Sequence, residues 1–355
     1  MKKKIKKIVI CASIFSSILL IGFGGVYFTF LHRYKGKKVV YNWSKEDAFD
    51  ISTIKTLTKD KNRDFVILNL ADVQLCDIGD YPKNFKTMKK EIYELVDRAK
   101  PDLITLTGDQ TWSNENQLGI KSIVKWLDDL KIPYAPVFGN HDTGNKVDSA
   151  VFSKNKCCDV YEKGKYSLFS RGPTNIGEVG NYVLNIMQDE KVYKTIYMMD
   201  AGTGSVITDG QKEFFKWNAD GIKANNNNVY SEGMVFMHKP LPEYYLAYYA
   251  YRNGLAEAIG DVEYHSSLAG TEQNGFFDLA KSCNVKDVVV GHQHWSNFTI
   301  NYEDVRLTMA VKTGEAMSFY EDETKYLNGA TVFKLSDDNI EITKLLVDRG
   351  KYRFS

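Results

Sequence analysis

The stretch "FVILNLADVQL", Phe65 to Leu75, has the composition of a buried β-strand that runs directly into polar residues. The apolar run gives way to Asp72, and an amide side chain, Gln74, follows two residues later. Ligands of parallel α/β sheets bind beside the carboxyl ends of the strands. We therefore predict that this strand carries Asp72 to a functional site.

Downstream of this stretch, strand-like and helix-like segments alternate along the chain. Asp102–Thr107 and Tyr134–Phe138 are short apolar runs, and helix-like stretches near Asn84–Ala99 and Glu115–Lys131 separate the three strands. Such alternation indicates parallel βαβ units. The second half has strand-like runs at Tyr182–Ile186, Val192–Met199, Val229–Met237, Asp287–Val290, Arg306–Val311, Thr331–Leu335 and Ile340–Leu345, and helix-like runs at Gln211–Ile222 and Phe276–Ser282. We predict one α/β domain over residues 63–355, with two mixed β-sheets packed between helices.

The N-terminal segment is apolar and flanked by basic residues. Residues 8–31 carry no charge and are long enough to cross a bilayer as a helix, which needs about 20 residues. We predict that residues 1–31 form a lysine-rich start and a single-pass membrane anchor, followed by a polar tether over residues 32–62. Five lysines before the span favour a cytoplasmic N-terminus and an extracellular catalytic domain. The alternative is a cleaved signal peptide and a secreted protein.

Charge is unevenly distributed along the chain. Nine of the 46 basic residues lie in residues 1–38, which hold no acidic residue. The other 37 basic residues stand against 45 acidic ones, which gives the rest of the chain a net charge of −8. A negative body disfavours non-specific binding to nucleic acid, so we expect no nucleic-acid partner. The body also holds four cysteines, which are either buried thiols or disulfide partners of undetermined pairing: Cys76, Cys157, Cys158 and Cys283.

Polar residues that suit metal ligation follow five of the predicted strands. They are Asp72, Asp109 in "TGDQTW", Asn140, His141 and Asp142 in "FGNHD", His238 in "MHKPLPE", and His292 and His294 in "VVVGHQHW". Four of the six histidines occupy these positions, which chance does not readily produce. Carboxylate, amide and imidazole donors together suit Zn, Mn or Fe better than Ca or Mg. Two such ions about 3.5–4 Å apart form a clamp for displacement at phosphorus.

The ordered set of motifs resembles that of the calcineurin-like metallophosphoesterases. Four of the family's five blocks are intact, as "GDQT", "GNHD", "MHKP" and "GHQH". Segments such as "YSLFSRGP" and "HKPLPEYY" are similar to purple-acid-phosphatase-like bacterial and fungal phosphatases. The resemblance covers about residues 65–345. It implies the metallophosphoesterase fold, a phosphate-ester substrate and a dinuclear centre of Mn, Zn or Fe.

The resemblance also implies a ligand set for each of two metal ions. The implied ligands are Asp72 and His294 for the first ion, Asp109 as a bridge to both ions, and Asn140, His238 and His292 for the second ion. Gln74 stands where the family has a histidine ligand of the first ion. Its amide oxygen is either a neutral metal ligand, which would favour Mn or Fe, or a neighbour that leaves the position to water.

His141 would lie at the substrate rather than at a metal ion. The resemblance implies that it contacts a phosphoryl or leaving-group oxygen, with Asp142 orienting it, while water activated by the ions attacks phosphorus in line. His265 lies in a polar segment and is either a surface residue or a second substrate contact. Trp112 occupies the position at which purple phosphatases place a tyrosine.

Two classes of function are compatible with these motifs. The first is metal-dependent hydrolysis of phosphate esters, and the intact Asp109 and His141 favour it. The second is a catalytically impaired module that binds metal or phosphate, and the replacement of the family's histidine by Gln74 would be the first lost site residue. The sequence leaves open whether monoesters or diesters are preferred, because the walls of a substrate site lie on loops.

Overall fold

The computed structural model describes residues 25–26, 31–75, 82–112, 116–143, 151–202, 206–262, 274–314 and 328–347. The strands are β1 (Lys55–Thr58), β2 (Phe65–Leu70), β3 (Leu103–Thr107), β4 (Tyr134–Val137), β5 (Tyr182–Gln188), β6 (Lys191–Met198), β7 (Glu232–Phe236), β8 (Ala258–Asp261), β9 (Val285–Val290), β10 (Asn297–Tyr302), β11 (Val305–Met309), β12 (Gly329–Leu335) and β13 (Ile340–Leu346). The helices are α1 (Pro82–Ala99), α2 (Asn116–Leu130), α3 (Lys154–Tyr161), α4 (Asp209–Ala224), α5 (Glu243–Arg252) and α6 (Phe276–Ser282).

The described strands form two mixed sheets. The larger has the order β1-β5-β6-β7-β9-β11-β10-β8, and the smaller has the order β13-β12-β2-β3-β4. β2, β3 and β4 run parallel to one another, as do β6, β7, β9 and β11. Antiparallel pairs lie towards the edges, for example β12 with β13 and β8 with β10. This arrangement confirms the predicted α/β fold with two mixed sheets.

Strand β7 illustrates how the sheets and helices are layered. Met234 and Phe236 belong to the core between the sheets, where Phe236 meets Phe333 of β12 edge to face at 6.1 Å. Val235 and Met237 belong to a second core that includes residues of α4, α5 and α6. Successive side chains of a strand point to opposite faces, so an unbroken apolar run marks a strand buried on both sides.

Helix α1 covers the smaller sheet with one apolar face. Met88, Ile92 and Leu95 recur at helical spacing and are fully buried, and the helix contacts β2 and β12. The helix ends at Ala99, because the ring of Pro101 sterically disfavours helical backbone angles at the preceding residue, Lys100. α1 thereby connects β2 to the parallel strand β3, so the polar residues that follow both strands lie at the same edge of the sheet.

The segment predicted to be a polar tether, residues 32–62, lies against the domain. Within it, β1 pairs with β5 at the edge of the larger sheet. Trp43 is buried and meets Phe214 edge to face at 5.2 Å, and the Lys37 backbone N–H donates to Asp159 at 2.9 Å. Parts of the predicted tether therefore contact the domain. The pairing of β1 with β5 could not be predicted from the sequence, because the side chains of β1 are mostly exposed and show no apolar alternation.

The predicted membrane span, residues 8–31, lies outside the described residues except for 25, 26 and 31. Among the residues that are described, no helix combines the length and the apolar character needed to cross a bilayer.

Three of the four body cysteines are described, and all three are buried free thiols. Burial is the main reason that the pKa of Cys158 rises to about 12. Cys76 lies outside the described residues. For Cys157, Cys158 and Cys283 the structure therefore agrees with the buried-thiol alternative.

Candidate metal centre

Five strands from both sheets deliver predicted site residues to one edge of the sandwich. Asp72, Asp109 and Asn140 follow β2, β3 and β4 of the smaller sheet, and His238 and His292 follow β7 and β9 of the larger. The carboxyl ends of parallel strands meet at one edge, which explains this convergence. Asp72, Asp109 and His292 have φ angles of 50°, 50° and 72°. Non-glycine residues in this left-handed region carry strain of about 1–3 kcal/mol and cluster at functional sites.

His238 lies at the centre of a cluster of potential metal donors. Its Nε2 is 3.1 Å from Asn140 Oδ1, 3.2 Å from His292 Nδ1 and 3.2 Å from Asp109 Oδ2. Its other ring nitrogen, Nδ1, is 2.9 Å from the carbonyl oxygen of Thr107. A carbonyl oxygen only accepts, so Nδ1 carries a proton. In the neutral imidazole the lone pair of Nε2 therefore faces the cluster.

Asp109 gives the clearest sign that this cluster suits a cation. Its Oδ1 accepts a hydrogen bond from the His141 backbone at 2.8 Å. Its Oδ2 is buried and accepts no hydrogen bond from the described residues, although burial of an unsatisfied carboxylate oxygen is costly. Donor atoms of Asp109, His238 and His292 all lie within 4.8 Å of one another. A carboxylate, two imidazoles and the nearby Asn140 amide oxygen fit a transition-metal ion.

The electrostatics of the cluster agree with this assignment. Burial disfavours the charged form of His238, but the Asp109 carboxylate outweighs burial and raises the pKa of His238 to about 9. Burial and the neighbouring His238 lower the pKa of His292 to about 3. Burial would raise the pKa of Asp109, yet His238 and His141 hold it well below its usual range. The buried carboxylate is therefore stabilised by positive charge beside it, which either protonated His238 or a bound cation supplies.

Two glycines let the main chain pass close to the carboxylates of the cluster. A Cβ atom at Gly139 would lie 2.1 Å from Asp109 Oδ1, and one at Gly291 would lie 2.6 Å from Asp72 Oδ2. Real Cβ atoms do not approach other atoms so closely. Glycine before the "NHD" and "HQH" sequences is therefore needed for the carboxylates to reach the site.

The residues expected at the first metal ion form a second group, which includes an unexpected lysine. Asp72 Oδ1 is 3.3 Å from His294 Nε2, and Asp72 Oδ2 accepts from the His292 backbone at 2.9 Å. Gln74 Nε2 is 3.3 Å from His294 Nε2. The ammonium of Lys312 donates to Gln74 Oε1 at 2.5 Å and to the Asp72 carbonyl oxygen at 3.2 Å. Sequence reasoning did not single out Lys312.

His141 lies at the rim of the cluster, and its side chain is 16% exposed. Its Nε2 is 3.9 Å from Asp109 Oδ2, and its ring lies on Trp112, with centroids 3.6 Å apart and planes inclined by 34°. The expected contact of His141 with substrate stays a prediction. The packing partner, Trp112, restricts the orientation of the imidazole. His265, the other expected substrate contact, lies outside the described residues.

Asp142 has a different contact from the one predicted. Its Oδ1 accepts from the backbone N–H and the hydroxyl of Thr111 at 2.9 and 3.2 Å, and its Oδ2 accepts from the Gly139 backbone at 2.8 Å. Burial and the charge of Asp109 raise the pKa of Asp142, while the hydrogen bonds from the Gly139 and Thr111 backbones lower it and favour the carboxylate. Asp142 thus ties the segment after β3 to the segment after β4, which carries Asn140.

Taken together, the fold and the donor set define an α/β sandwich protein with a candidate metal site. The model of the calcineurin-like phosphoesterase family matches residues 65–296, a range that includes every predicted site residue. The chain belongs to this family, as its motif set predicted.

Similar proteins include one named phosphatase and one protein named as probably inactive. The chain is 29% identical over 210 residues to phosphatase DCR2 of Saccharomyces cerevisiae, covering 51% of this chain and 35% of that protein. It is 27% identical over 234 residues to probable inactive purple acid phosphatase 29 of Arabidopsis thaliana, covering 58% of this chain and 57% of that protein. The chain thus spans from about a third to just over half of these relatives.

One solved structure with a similar fold is titled GAP50, the anchor in the inner membrane complex of Plasmodium. It shares 12% identity with this chain, covers 81% of it and 90% of its own length, and has a TM-score of 0.42.

Proposed function

We propose that this protein hydrolyses phosphate esters in a metal-dependent reaction at the cluster around Asp109. The observation that carries the proposal is the buried Oδ2 of Asp109, which accepts no hydrogen bond from the described residues and lies 3.2 Å from His238 Nε2. Family membership supports hydrolysis at phosphorus in general, and the similarity to a named phosphatase supports it further.

In this proposal each group of residues has its own task. Asp109, Asn140, His238 and His292 hold the metal ion. A bound divalent ion supplies Lewis acidity to a phosphoryl oxygen and lowers the pKa of water. His141, whose ring is partly exposed, donates to the phosphoryl or leaving-group oxygen. In the two-ion form that the family pattern implies, Asp72, Gln74 and His294 complete the first metal position.

We also propose that the N-terminal apolar segment, residues 8–31, anchors the protein in the cell membrane with the catalytic domain outside. The support is its uncharged composition and the five lysines that precede it. Sedimentation of the full chain with membranes, and proteolysis of the domain in intact cells, are the expected results. A mature N-terminus near Gly25 would instead indicate a secreted protein.

A catalytically impaired binding module is the second candidate. Gln74 in place of a histidine ligand favours it, as does the similarity to a protein named probable inactive purple acid phosphatase. In that case the chain would bind a metal ion and phosphate but would not turn over an ester.

Hydrolysis of chromogenic substrates separates the two candidates. The full-length protein is stripped with chelator, supplied with Mn, Zn or Fe singly, and assayed with a phosphate monoester and a diester. We expect chelator-sensitive turnover of at least one substrate, restored by one of these metals and abolished in Asp109→Asn. Binding of metal without turnover of either substrate would favour the impaired module. Failure to bind any of the three metals would exclude both.

A further inference from the structure

We propose that Lys312 and Gln74 close the first metal position, so that the chain binds one ion per molecule, at the site of Asn140, His238 and His292. This proposal rests on the proposed metal-dependent function, because it concerns which of the family's two positions takes an ion. It departs from the two-ion pattern that the motifs imply.

The hydrogen bonds of Lys312 determine which way the Gln74 amide points. An ammonium group only donates, so the atom that it contacts at 2.5 Å must be the carbonyl oxygen of Gln74. The NH2 group of Gln74 is then the atom 3.3 Å from His294 Nε2. An amide NH2 has no lone pair for a metal ion. Gln74 therefore presents a donor where the family presents a metal-binding nitrogen.

The position of Lys312 is fixed by the main chain. Ala71 and Lys312 form a parallel bridge, and the flanking Thr313 and Gly314 backbones donate to Ala71 and Asp72 at 2.7 and 3.1 Å. Gln74 is fully buried, and Lys312 is only 7% exposed. The contact between the two side chains is therefore shielded from water, and a cation entering this position would have to displace it.

The charge of Lys312 also disfavours an ion at the first position. Its ammonium lies within hydrogen-bond distance of the Asp72 carbonyl oxygen, and Asp72 Oδ1 is the atom beside His294. A divalent cation beside Asp72 and His294 would lie close to this positive charge and would be repelled by it.

Metal stoichiometry tests the proposal without relying on activity. The full-length protein and its variants are saturated with Mn²⁺, freed of excess ion and examined by elemental analysis, and by electron paramagnetic resonance for coupled Mn²⁺ pairs. We expect about one ion per chain and no coupled pair in the wild type. In Gln74→His combined with Lys312→Met, we expect about two ions, a coupled signal and at least about tenfold tighter binding of the second equivalent.

Lys194→Met is the matched control, because Lys194 of β6 is also a buried lysine. It pairs with Glu232, the first residue of β7, at the end of that strand opposite to His238. Lys194→Met should keep the wild-type stoichiometry. Two ions of similar affinity in the wild type would overturn the proposal, and so would a double variant that folds and still takes one. If the double variant does not fold, Gln74→His and Lys312→Met are examined singly, and unchanged binding of a second ion in both would also count against the proposal. A wild type that binds no ion would instead overturn the proposed function.

Discussion

Replacement of Asp142 by asparagine tests how the metal cluster is supported. The carboxylate accepts three hydrogen bonds, from Thr111 N, Thr111 Oγ1 and Gly139 N. The asparagine side chain would keep one acceptor oxygen and place an NH2 group against a buried donor. Leaving one buried donor unsatisfied costs about 1–3 kcal/mol. At about 2 °C per kcal/mol for a domain of this size, the unfolding midpoint of metal-free Asp142→Asn should fall by about 2–6 °C.

The same substitution should also weaken metal binding. Asp142 holds together the segments that carry Asp109 and Asn140, so its loss allows these donors to shift. Changes in groups that orient metal ligands typically lower metal affinity by about 10–100-fold. We expect an effect in this range for Asp142→Asn, measured by titration of the chelator-stripped protein with Mn²⁺ or Zn²⁺.

Asp128 provides the matched control for this prediction. Its carboxylate also accepts two backbone N–H groups, from Lys165 and Tyr166, and the hydroxyl of Tyr134 at the opposite end of β4. Asp128→Asn should lower the unfolding midpoint while leaving metal affinity unchanged. The reasoning would be refuted if Asp142→Asn kept wild-type metal affinity, or if both variants lost affinity to the same extent.

Two further predictions concern residues around the cluster. His141→Ala should keep the metal content and reduce turnover by about 10²–10⁴-fold. Trp112→Ala should also keep the metal and should lower turnover by a smaller factor. Loss of metal from either variant would place the substituted residue in the ligand set. Gly139→Ala should sharply lower metal affinity, because the added Cβ would lie 2.1 Å from Asp109 Oδ1. Gly254→Ala should leave metal affinity unchanged, because the space around Gly254 is open. Equal metal affinities in the two variants would contradict this reasoning.

The strands that carry the site could be predicted from the sequence because each signal is local. Apolar runs buried on both faces end directly in Asp72, Asp109, Asn140, His238 and His292. Once the strands are known to be parallel, the convergence of these five residues follows from topology. The family motifs supplied the same set independently.

Other features depend on contacts between distant parts of the chain. Lys312 reaches Gln74 because residues 71 and 312 pair across the sheet, and nothing in the local sequence around Lys312 indicates this bridge. Asp142 follows His141 directly, yet its carboxylate accepts from Thr111 and Gly139 because the turn after β4 directs it inward.

The two edge strands of the larger sheet, β1 and β8, were not predicted from the sequence. β1 and β8 are short, mostly exposed and without apolar alternation, so only their hydrogen bonds to β5 and β10 define them. For β1, this pairing also explains why part of the expected tether lies on the domain.

Anomalous X-ray diffraction from crystals of the protein grown with Mn²⁺ tests the central claim most directly. The account predicts the strongest anomalous peak among Asp109 Oδ2, Asn140 Oδ1, His238 Nε2 and His292 Nδ1, the atoms that converge on one another in the structure. A peak at this position that disappears in Asp109→Asn would support the metal centre from which the proposed hydrolysis follows. Crystals at saturating Mn²⁺ with no peak among these atoms, or with the strongest peak elsewhere in the molecule, would contradict it.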